Sequence, residues 1–409
     1  MNQKVTNTLS REQPAISNTA TQDVFRKSLD AVGGKLSLRV YGNRQGFETI
    51  RDDWLKLMPD VGNTCFYHHP VWFDAFLYAH DDELSFFCVY RNDKLMSVFP
   101  ILWKKHKRFQ LVELSIPSKH SMMMLDCALS SKENASEIYN YFLSNIERAT
   151  GCNWDVFVVS KTLSRSNLSE CFDGLNKFSL IKDKRGQCAV IEVLPYEQAL
   201  RNMKKKFRGN LNNSRHRLAK SESAEFVLAK SGEELRWAFN EFINLEAAGW
   251  KGKQGLKKKG YPPPSAIALS EPKMNFYRGV VEGFSANQSA EINLLRVAGK
   301  TIGAQINILL RDVSYLIKTA YDESQPGYSP GHMLIDFAYK RYAEEGKIKK
   351  ICLITDYAWF KGWNPTMIDY FCYRHFNKTI RGLSACAAIR LRHQWRRVYR
   401  TSSRLLNAA

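Results

Sequence analysis

The sequence predicts an α/β fold (a mixed α+β sheet) built from two similar halves in tandem. Strand-like apolar runs alternate with amphipathic helical segments along most of the chain. At 409 residues the chain exceeds what one hydrophobic core usually supports. The second half also repeats the order of the first, which is two helices, several strands, a helix and a strand. We therefore expect one domain at 36–190 and a second at 191–409.

Composition indicates a cytoplasmic protein without a metal site. The nine cysteines are odd in number, scattered and free of C-x-x-C pairing, which argues against a disulfide framework and against zinc. Residues 1–35 are rich in Asn, Thr, Ser and Gln, so we expect a disordered N-terminal arm. That arm lacks the apolar core of a signal peptide, and no later stretch reaches the roughly 18–20 apolar residues of a membrane span. We predict no transmembrane segment and no bound metal.

In the first half, apolar spacing separates helices from strands. Apolar residues three and four positions apart predict helices at 48–58, 69–80 and 133–151, the last closed by Gly151. Apolar runs with strand-like composition predict two strands within 84–106 and further strands at 109–117, 154–160 and 187–194. This half is therefore mixed α/β.

The second half uses the same pattern. Helices are predicted at 233–250, 273–285 and 331–346, and strands at 224–231, 291–299, 301–310, 313–323 and 349–357. Turn residues at 299–300 and 311–312 separate three of these strands, which predicts an antiparallel meander. The last helix lies between two strands, so we expect those two strands to be parallel.

The chain carries a formal charge of +20 and a sequence pI near 9.5. Such a surplus favours acidic partners, which include nucleic acid, a peripheral contact with an anionic membrane and phosphate-rich cofactors. Scattered surface Lys and Arg that only maintain solubility would give the same total. Charge therefore narrows the class of partner without choosing among these.

The stretch Lys318 to Ala338 forms a strand, a turn rich in Tyr, Ser, Pro and Gly, and the start of a helix. A helix N-terminus after such a turn presents unpaired N–H groups and the positive end of the helix dipole, which suits a pyrophosphate. Most strand-turn-helix connections bind nothing. The turn permits phosphate binding and does not require it.

Three stretches together resemble a known family: "FINLEAAGWKGKQG" (242–255), "KTAYDESQPGYSPGHML" (318–334) and "ITDYAWFKGWN" (354–364). In this order and spacing they look like the acetyltransferase family that includes the cellulose-biosynthesis protein CelD. That family belongs to the GNAT superfamily and is similar to the Fem-type aminoacyl transferases, which consist of two tandem GNAT-like halves. The third stretch departs from the usual Asp-Phe, Gly-rich turn and Pro-Tyr-Lys pattern and keeps only its outline.

The resemblance implies a donor site between two parallel strands that separate, Tyr315 to Asp322 and Ile351 to Tyr357. The donor would be acyl-CoA or acetyl-CoA, with its pyrophosphate on the turn that follows the first strand. Direct transfer also needs a base, and often an acid for the leaving thiolate. The residues that the resemblance implies for the donor are Tyr321, Tyr328, Ser329, Pro330, Gly331, His332 and Met333. Those for catalysis are Glu246, Asp322, Glu323, Asp356 and Tyr357, and those for the acceptor are Trp250, Lys251, Lys361 and Trp363.

Each of these residues also has a structural interpretation. Glu246 would pair with Lys251 or Lys253, Asp322 and Glu323 would cap a turn, and His332 would only start a helix. The basic run 201–220 is either a solvated linking helix or a contact for a CoA 3′-phosphate, a tRNA acceptor stem or a phosphorylated glycan carrier. The Gly-, Lys- and Pro-rich stretch 252–265 is predicted to be mobile and to close over substrate.

The function that follows is acyl transfer from acyl-CoA, or another acyl thioester, to an amine or hydroxyl of a cell-envelope or exopolysaccharide precursor. One alternative is a Fem-like transferase that uses aminoacyl-tRNA, suggested by the charge and by the run 201–220. A second alternative is a non-catalytic GNAT-fold binding or assembly protein, suggested by the incomplete third stretch.

Overall fold

The structure is a computed structural model that describes residues 35–80, 84–107, 110–118, 124–173, 175, 178–221, 223–252 and 264–406. The predicted disordered arm lies outside the described residues, except for Lys35. Residues 253–263 of the predicted mobile loop also lie outside them.

Residues up to Glu192 form seven strands and four helices, as far as the described part of the chain extends. In chain order they are β1 (Leu36–Gly42), α1 (Asn43–Leu57), α2 (Pro70–Ala79), β2 (Leu84–Arg91), β3 (Lys94–His106), β4 (Leu111–Ser115), β5 (Ala128–Leu129), α3 (Ala135–Thr150), β6 (Val156–Leu163), α4 (Asn167–Asp173) and β7 (Leu180–Glu192).

The rest of the chain continues with six more helices and six more strands among the described residues. They are α5 (Tyr196–Asn202), α6 (Lys205–Ala219), β8 (Glu225–Ala229), α7 (Gly232–Ala248), α8 (Glu271–Ser285), β9 (Ala290–Val297), β10 (Lys300–Leu310), β11 (Val313–Tyr321), α9 (Pro330–Glu345), β12 (Lys350–Cys352), β13 (Thr366–Phe376) and α10 (Ile380–Leu406). Within the described residues, no helix combines the length and the apolar character that a membrane crossing needs.

The chain forms two compact units, and both are discontinuous in sequence. The described residues of the first lie within Met1–Thr64, Asp82–Arg185 and Phe371–Ala409. In it β1, β2, β3 and β4 pair antiparallel in that order, and β4 pairs parallel with β6. Its core is aromatic, with the rings of Phe99 and Phe142 stacked at a centroid distance of 4.3 Å.

The second unit contains Cys65–Asp81 and Gly186–Tyr370. In it β8, β9, β10 and β11 pair antiparallel, β11 pairs parallel with β12, and β12 pairs antiparallel with the end of β7. Helix α2 packs against α8, where the rings of Trp72 and Phe276 meet edge to face with centroids 4.9 Å apart. An early segment of the chain thus completes the core of this unit.

The two units share one topology, which confirms the predicted mixed α/β fold with two tandem halves. Each has an antiparallel meander (β2-β3-β4 and β9-β10-β11), then a helix (α3 and α9), then a strand parallel to the last of the meander (β6 and β12). The predicted boundary at residue 190 stays a prediction, because the compact units follow packing and not the order of the chain.

One predicted strand is much shorter than expected. The sequence predicted a strand at 349–357, whereas β12 covers only Lys350–Cys352. The strand ends because Ile354 adopts a left-handed backbone conformation with φ of 62°, which cannot continue an extended strand. The apolar run "ICLI" therefore supplies a short strand and then a buried irregular segment.

Gly303 lets β10 approach the start of α9. A Cβ atom at this position would lie 2.9 Å from Cβ of Pro330 and 3.0 Å from Cδ1 of Leu334. We expect Gly303→Ala to destabilise the protein by about 1–3 kcal/mol, because the helix would have to move away from the sheet. Denaturant unfolding measures this change.

The matched control is Gly209→Ala in α6, where an added Cβ would meet no atom within 4 Å. There the exchange should leave the free energy of unfolding unchanged or raise it by about 0.5–1 kcal/mol, since Ala favours a helix over Gly. Equal effects of the two exchanges would contradict the close approach at Gly303.

Candidate functional site

The second unit contains a pair of parallel strands that separates early. Strand β11 pairs with β12 only from Val313 to Tyr315. The rest of β11 continues to Tyr321 beside β10, with a register shift that leaves Ile317 without a partner on β10. The predicted parallel arrangement is therefore confirmed, and beyond Tyr315 one edge of β11 is no longer bonded to β12.

Glu246 and Lys251 lie beside this open part of β11. Helix α7 ends near Glu246, whose side chain is only 2% exposed. Its Oε1 accepts from Nζ of Lys251 at 3.2 Å and its Oε2 from the backbone N–H of Ile267 at 2.7 Å. The same Nζ donates to the carbonyl oxygen of Thr319 in β11, at 2.7 Å. Lys251 thus fixes a buried carboxylate next to the separated strand.

Three lysines surround that one carboxylate. Besides Lys251 they are Lys273, from α8, and Lys318, from β11, whose Nζ lies 4.8 Å from the ring centroid of Tyr277. Burial lowers the pKa of Lys251 and of Lys318, and burial together with the neighbouring ammonium of Lys318 lowers the pKa of Lys273 to about 8. Positive charge thus exceeds negative charge in a partly desolvated site, which suits an anionic group or an oxyanion that develops during reaction.

Sequence reasoning missed Lys273, Lys318 and Tyr277. Isolated lysines in a helix and a strand look like solvated surface charges, because neither has a motif around it. Lys318 stands at the edge of the family-like stretch 318–334, and that position was the one available signal. Tertiary structure brings Lys273 and Tyr277 of α8 beside Lys318 of β11.

The predicted carboxylates Asp322 and Glu323 hold the end of β11. Asp322 accepts from Nζ of Lys300 at 2.7 Å and from both the N–H and the hydroxyl of Ser324. These hydrogen bonds lower the pKa of Asp322 to about 2, which makes it a weak base at neutral pH. Glu323 accepts from the backbone N–H of Trp250 at 2.9 Å. The contacts of Asp322 agree with the turn-capping interpretation, whereas Glu323 bonds the chain just after helix α7.

Asp356, Tyr357 and Lys361 follow β12. All three are exposed, and the side chain of Tyr357 is 59% exposed. Tyr357 lies near enough to Lys318 for the two side chains to interact electrostatically. The structure thus places Tyr357 near the lysine cluster, whereas Asp356 and Lys361 have no contact with it among the described residues.

His332 and Trp363 belong to a packed aromatic cluster. Nε1 of Trp363 donates to Nδ1 of His332 at 3.2 Å, and Trp363 is 4% exposed. The rings of Phe207 and Trp359 each meet the His332 ring edge to face, with centroids 5.0 Å apart. Desolvation lowers the pKa of His332 to about 4, so the imidazole is neutral near pH 7. Here both predicted site residues have a packing role.

The turn before α9 contains one residue in the left-handed conformation, directly before the helix. Ser329 has φ of 49° and its carbonyl oxygen accepts from the N–H groups of His332 and Met333. Pro330 has no N–H, and Pro330 and Met333 are buried. Fewer backbone N–H groups of this turn are therefore available to bind a phosphate than the sequence suggested. Gly331 also lies against the ring of Trp359.

A basic cleft lies beside the same turn. It has a volume of about 380 Å³. Nη1 of Arg217 donates to the carbonyl oxygen of Gly327 at 2.8 Å. The cleft is lined by Arg217, Lys220, Ser221, Ser324, Gln325, Pro326, Gly327 and Tyr328. Two cations from the end of α6 thus meet the turn that the sequence assigned to a phosphate.

Helix α6 is not a free linker. Leu211 and Leu218 are buried, and Ser214 lies 3.2 Å from the hydroxyl of Ser329. Nε of Arg215 donates to Asp336 of α9 at 2.9 Å. One face of the basic run 201–220 is therefore packed on α9, and its last turn reaches the cleft.

Comparison with known proteins agrees with this architecture. Residues 205–362 match the family model described as "Acetyltransferase (GNAT) domain". That range spans α6, the lysine cluster, the basic cleft and β12. No curated protein sequence matches the chain.

Solved structures support the fold at low sequence identity. The crystal structure of FemX is similar at a TM-score of 0.52 with 10% identity, covering 78% of this chain and 95% of FemX. A conserved protein of unknown function from Bacteroides thetaiotaomicron is similar at 0.50 with 12% identity, covering 80% of this chain and 97% of that protein. At such identities the likeness concerns the fold alone. The chain therefore has a GNAT-type fold, with a GNAT acetyltransferase-like domain at 205–362.

Proposed function

We propose that the protein is a cytoplasmic acyltransferase of the CelD-like GNAT type. It moves an acyl group from acyl-CoA, or another acyl thioester, directly to an amine or hydroxyl of a cell-envelope or exopolysaccharide precursor. The observation that carries the proposal is the early separation of β11 from β12, with Lys251 bonded both to Glu246 and to the carbonyl oxygen of Thr319 on the open part. The match of residues 205–362 to an acetyltransferase model supports it.

In this proposal each group has one task. The acyl thioester lies along the open edge of β11, and Glu246 takes the proton that the attacking amine or hydroxyl loses. Lys318 and Lys273 stabilise the negative charge that builds on the thioester oxygen, because ammonium groups in a partly desolvated site act strongly on such charge. Tyr357 supplies the proton to the leaving thiolate. The turn 328–333 and Tyr321 hold the donor.

Calorimetry with CoA and acetyl-CoA tests the donor. Binding in the micromolar to millimolar range is the expected result. A thiol-release assay with acetyl-CoA and a panel of amine- and hydroxyl-bearing sugars then identifies the acceptor. No heat at about millimolar ligand would reject the proposal.

The rival donor is aminoacyl-tRNA, and the basic face of α6 is the observation that favours it. A labelled aminoacyl-tRNA transfer assay separates the two, since only a Fem-like enzyme consumes that donor. Salt-sensitive RNA binding without turnover of either donor would instead indicate a non-catalytic binding or assembly protein.

The basic cleft suggests where the 3′-phosphate of CoA binds. We expect the double exchange Arg217→Gln and Lys220→Gln to raise the Kd for CoA by about tenfold, because two charge-assisted contacts to that phosphate are lost. Dephospho-CoA should bind equally to the variant and to the unmodified protein. Calorimetry measures both ligands.

The control is Lys205→Gln with Lys206→Gln, which removes the same charge from the exposed first turn of α6. It should leave the Kd for CoA unchanged. If dephospho-CoA loses as much affinity as CoA, the cleft does not contact the 3′-phosphate.

A further inference from the structure

Helix α10 is a long basic helix in the first unit. It covers Ile380–Leu406, a length of 27 residues. This stretch contains seven arginines and no aspartate or glutamate. Nothing in the acyl transfer proposed above uses it.

One face of α10 packs on its own unit. Cys386 is buried in a small apolar cluster with Val156, Ile181 and Phe376. Ala385 and Ile389 pack against the same cluster. The helix is therefore anchored through this inner face, and its other side is open for contacts.

The opposite face carries large apolar side chains in the open. Ile380 is 86% exposed, Leu383 52%, Leu391 65% and Trp395 69%. At about 100° of rotation per residue these four fall within a sector of about 120°, centred opposite the inner face. Scattered exposed apolar residues are ordinary in proteins, but an aligned set of four on one helix is an interaction surface.

Arginines border this apolar sector on both sides. By the same rotation, Arg392 lies about 60° from the sector on one side and Arg390 about 20° from it on the other, whereas Arg396 lies nearly opposite the sector. Arg392 and Arg396 are exposed. Arg390 holds the helix, since its Nη2 donates to the carbonyl oxygen of Phe178 at 3.2 Å. The outer face is thus apolar along its centre, with Arg392 on one side of it and Arg390 on the other.

We propose that this outer face, defined by Ile380, Leu383, Leu391 and Trp395 with the bordering arginines, docks on an anionic lipid surface. Apolar side chains enter the boundary between headgroups and acyl chains, and guanidinium groups pair with lipid phosphates. Tryptophan suits that boundary because its ring is apolar and its N–H is polar. The helix then lies along the membrane and does not cross it.

Charge argues against the other occupants. A second copy of α10 would bring seven arginines against seven, with no acidic residue in the helix to pair with them. Nucleic acid would use the arginines but gains little from aliphatic side chains such as Ile380, Leu383 and Leu391. A phospholipid surface is the occupant that uses both parts of the face.

The test is co-sedimentation of the full chain with vesicles. Vesicles of phosphatidylcholine alone are compared with vesicles that hold about a quarter phosphatidylglycerol, at low and at high salt. We expect binding to the anionic vesicles and loss of most of it at high salt. Leu391→Ser with Trp395→Ser should lower the partition coefficient by about tenfold or more, because two apolar side chains that would enter the membrane are lost. Arg392→Gln should lower it by about fivefold, because one cation beside the apolar sector is lost.

The control is Leu55→Ser with Tyr78→Ser, two apolar side chains that are 37% and 71% exposed elsewhere. It should bind vesicles as the unmodified protein does. All exchanged residues are exposed, so thermal unfolding should be unchanged in every variant.

Three results would overturn the proposal. The first is equal partition of the Leu391 and Trp395 variant and the unmodified protein. The second is equal binding to the phosphatidylcholine vesicles and to the vesicles that contain phosphatidylglycerol. The third is absence of binding to the anionic vesicles. RNA binding that the arginine exchange removes, or a dimer that the apolar exchange dissociates, would then identify a different occupant.

Discussion

Glu246→Gln is expected to lower kcat by about 10²–10⁴, because a glutamine cannot take the proton that the acceptor loses. Affinity for acetyl-CoA should stay the same, since the proposed donor contacts lie on the turn 328–333. Thiol release with the identified acceptor gives kcat, and calorimetry gives the donor Kd. The exchange keeps the shape of the side chain and an acceptor for the N–H of Ile267.

Asp322→Asn is the matched control, since it also exchanges a carboxylate near the end of β11 for an amide. Its kcat should fall by less than about tenfold, because a carboxylate that is ion-paired to Lys300 with a pKa of about 2 is a poor base. If Asp322→Asn removes activity and Glu246→Gln does not, the base assignment is reversed. If neither does, Glu246 only holds Lys251.

Acidification is expected to destabilise the protein through His332. Its pKa is about 4 in the folded state and about 6.5 in an unfolded chain. Between these pH values the unfolded state therefore binds a proton that the folded state does not bind. The stabilising contribution is therefore complete above about pH 6.5 and declines as the pH falls to about 4, by up to about 3 kcal/mol. Desolvation of the buried imidazole explains the direction. The bond from Trp363 agrees with it, because Nδ1 of His332 must be unprotonated to accept that bond.

His332→Gln provides the measurement. A glutamine side-chain oxygen still accepts a hydrogen bond but does not titrate, so the free energy of unfolding should depend less on pH between about 6.5 and 4. His216→Gln is the control, because His216 is exposed on α6. An unchanged pH dependence in the His332 variant, or an equal change in the His216 variant, would contradict this account.

The regular elements of the second half follow from the sequence because their patterns are local. The helix at 331–346 ends at Gly346, which takes the left-handed conformation with φ of 69° that glycine permits. The three-strand meander also agrees, with left-handed residues at the predicted turn positions Gly299 and Arg311. Strand β12 fails this rule, because one left-handed residue, Ile354, interrupts an apolar run.

Part of the candidate site was also predictable. Glu246 and Lys251 stand out because "LEAAGWKG" joins a carboxylate, small residues and a lysine in a helix end. Their pairing was one of the two structural alternatives, and the structure has it at 3.2 Å. The roles assigned to the site residues remain predictions, because contacts in the structure describe packing and charge and not turnover.

By itself the sequence determined the tandem α/β order, the parallel pair around α9 and the excess of positive charge. These depend on spacing within one segment or on composition, which no partner segment alters. Tertiary structure alone placed Lys273 and Lys318 beside Glu246. It also put α2 into the second unit and α10 into the first, and it paired Asp322 with Lys300. These features join residues far apart in the chain, so packing between elements sets them and local pattern does not.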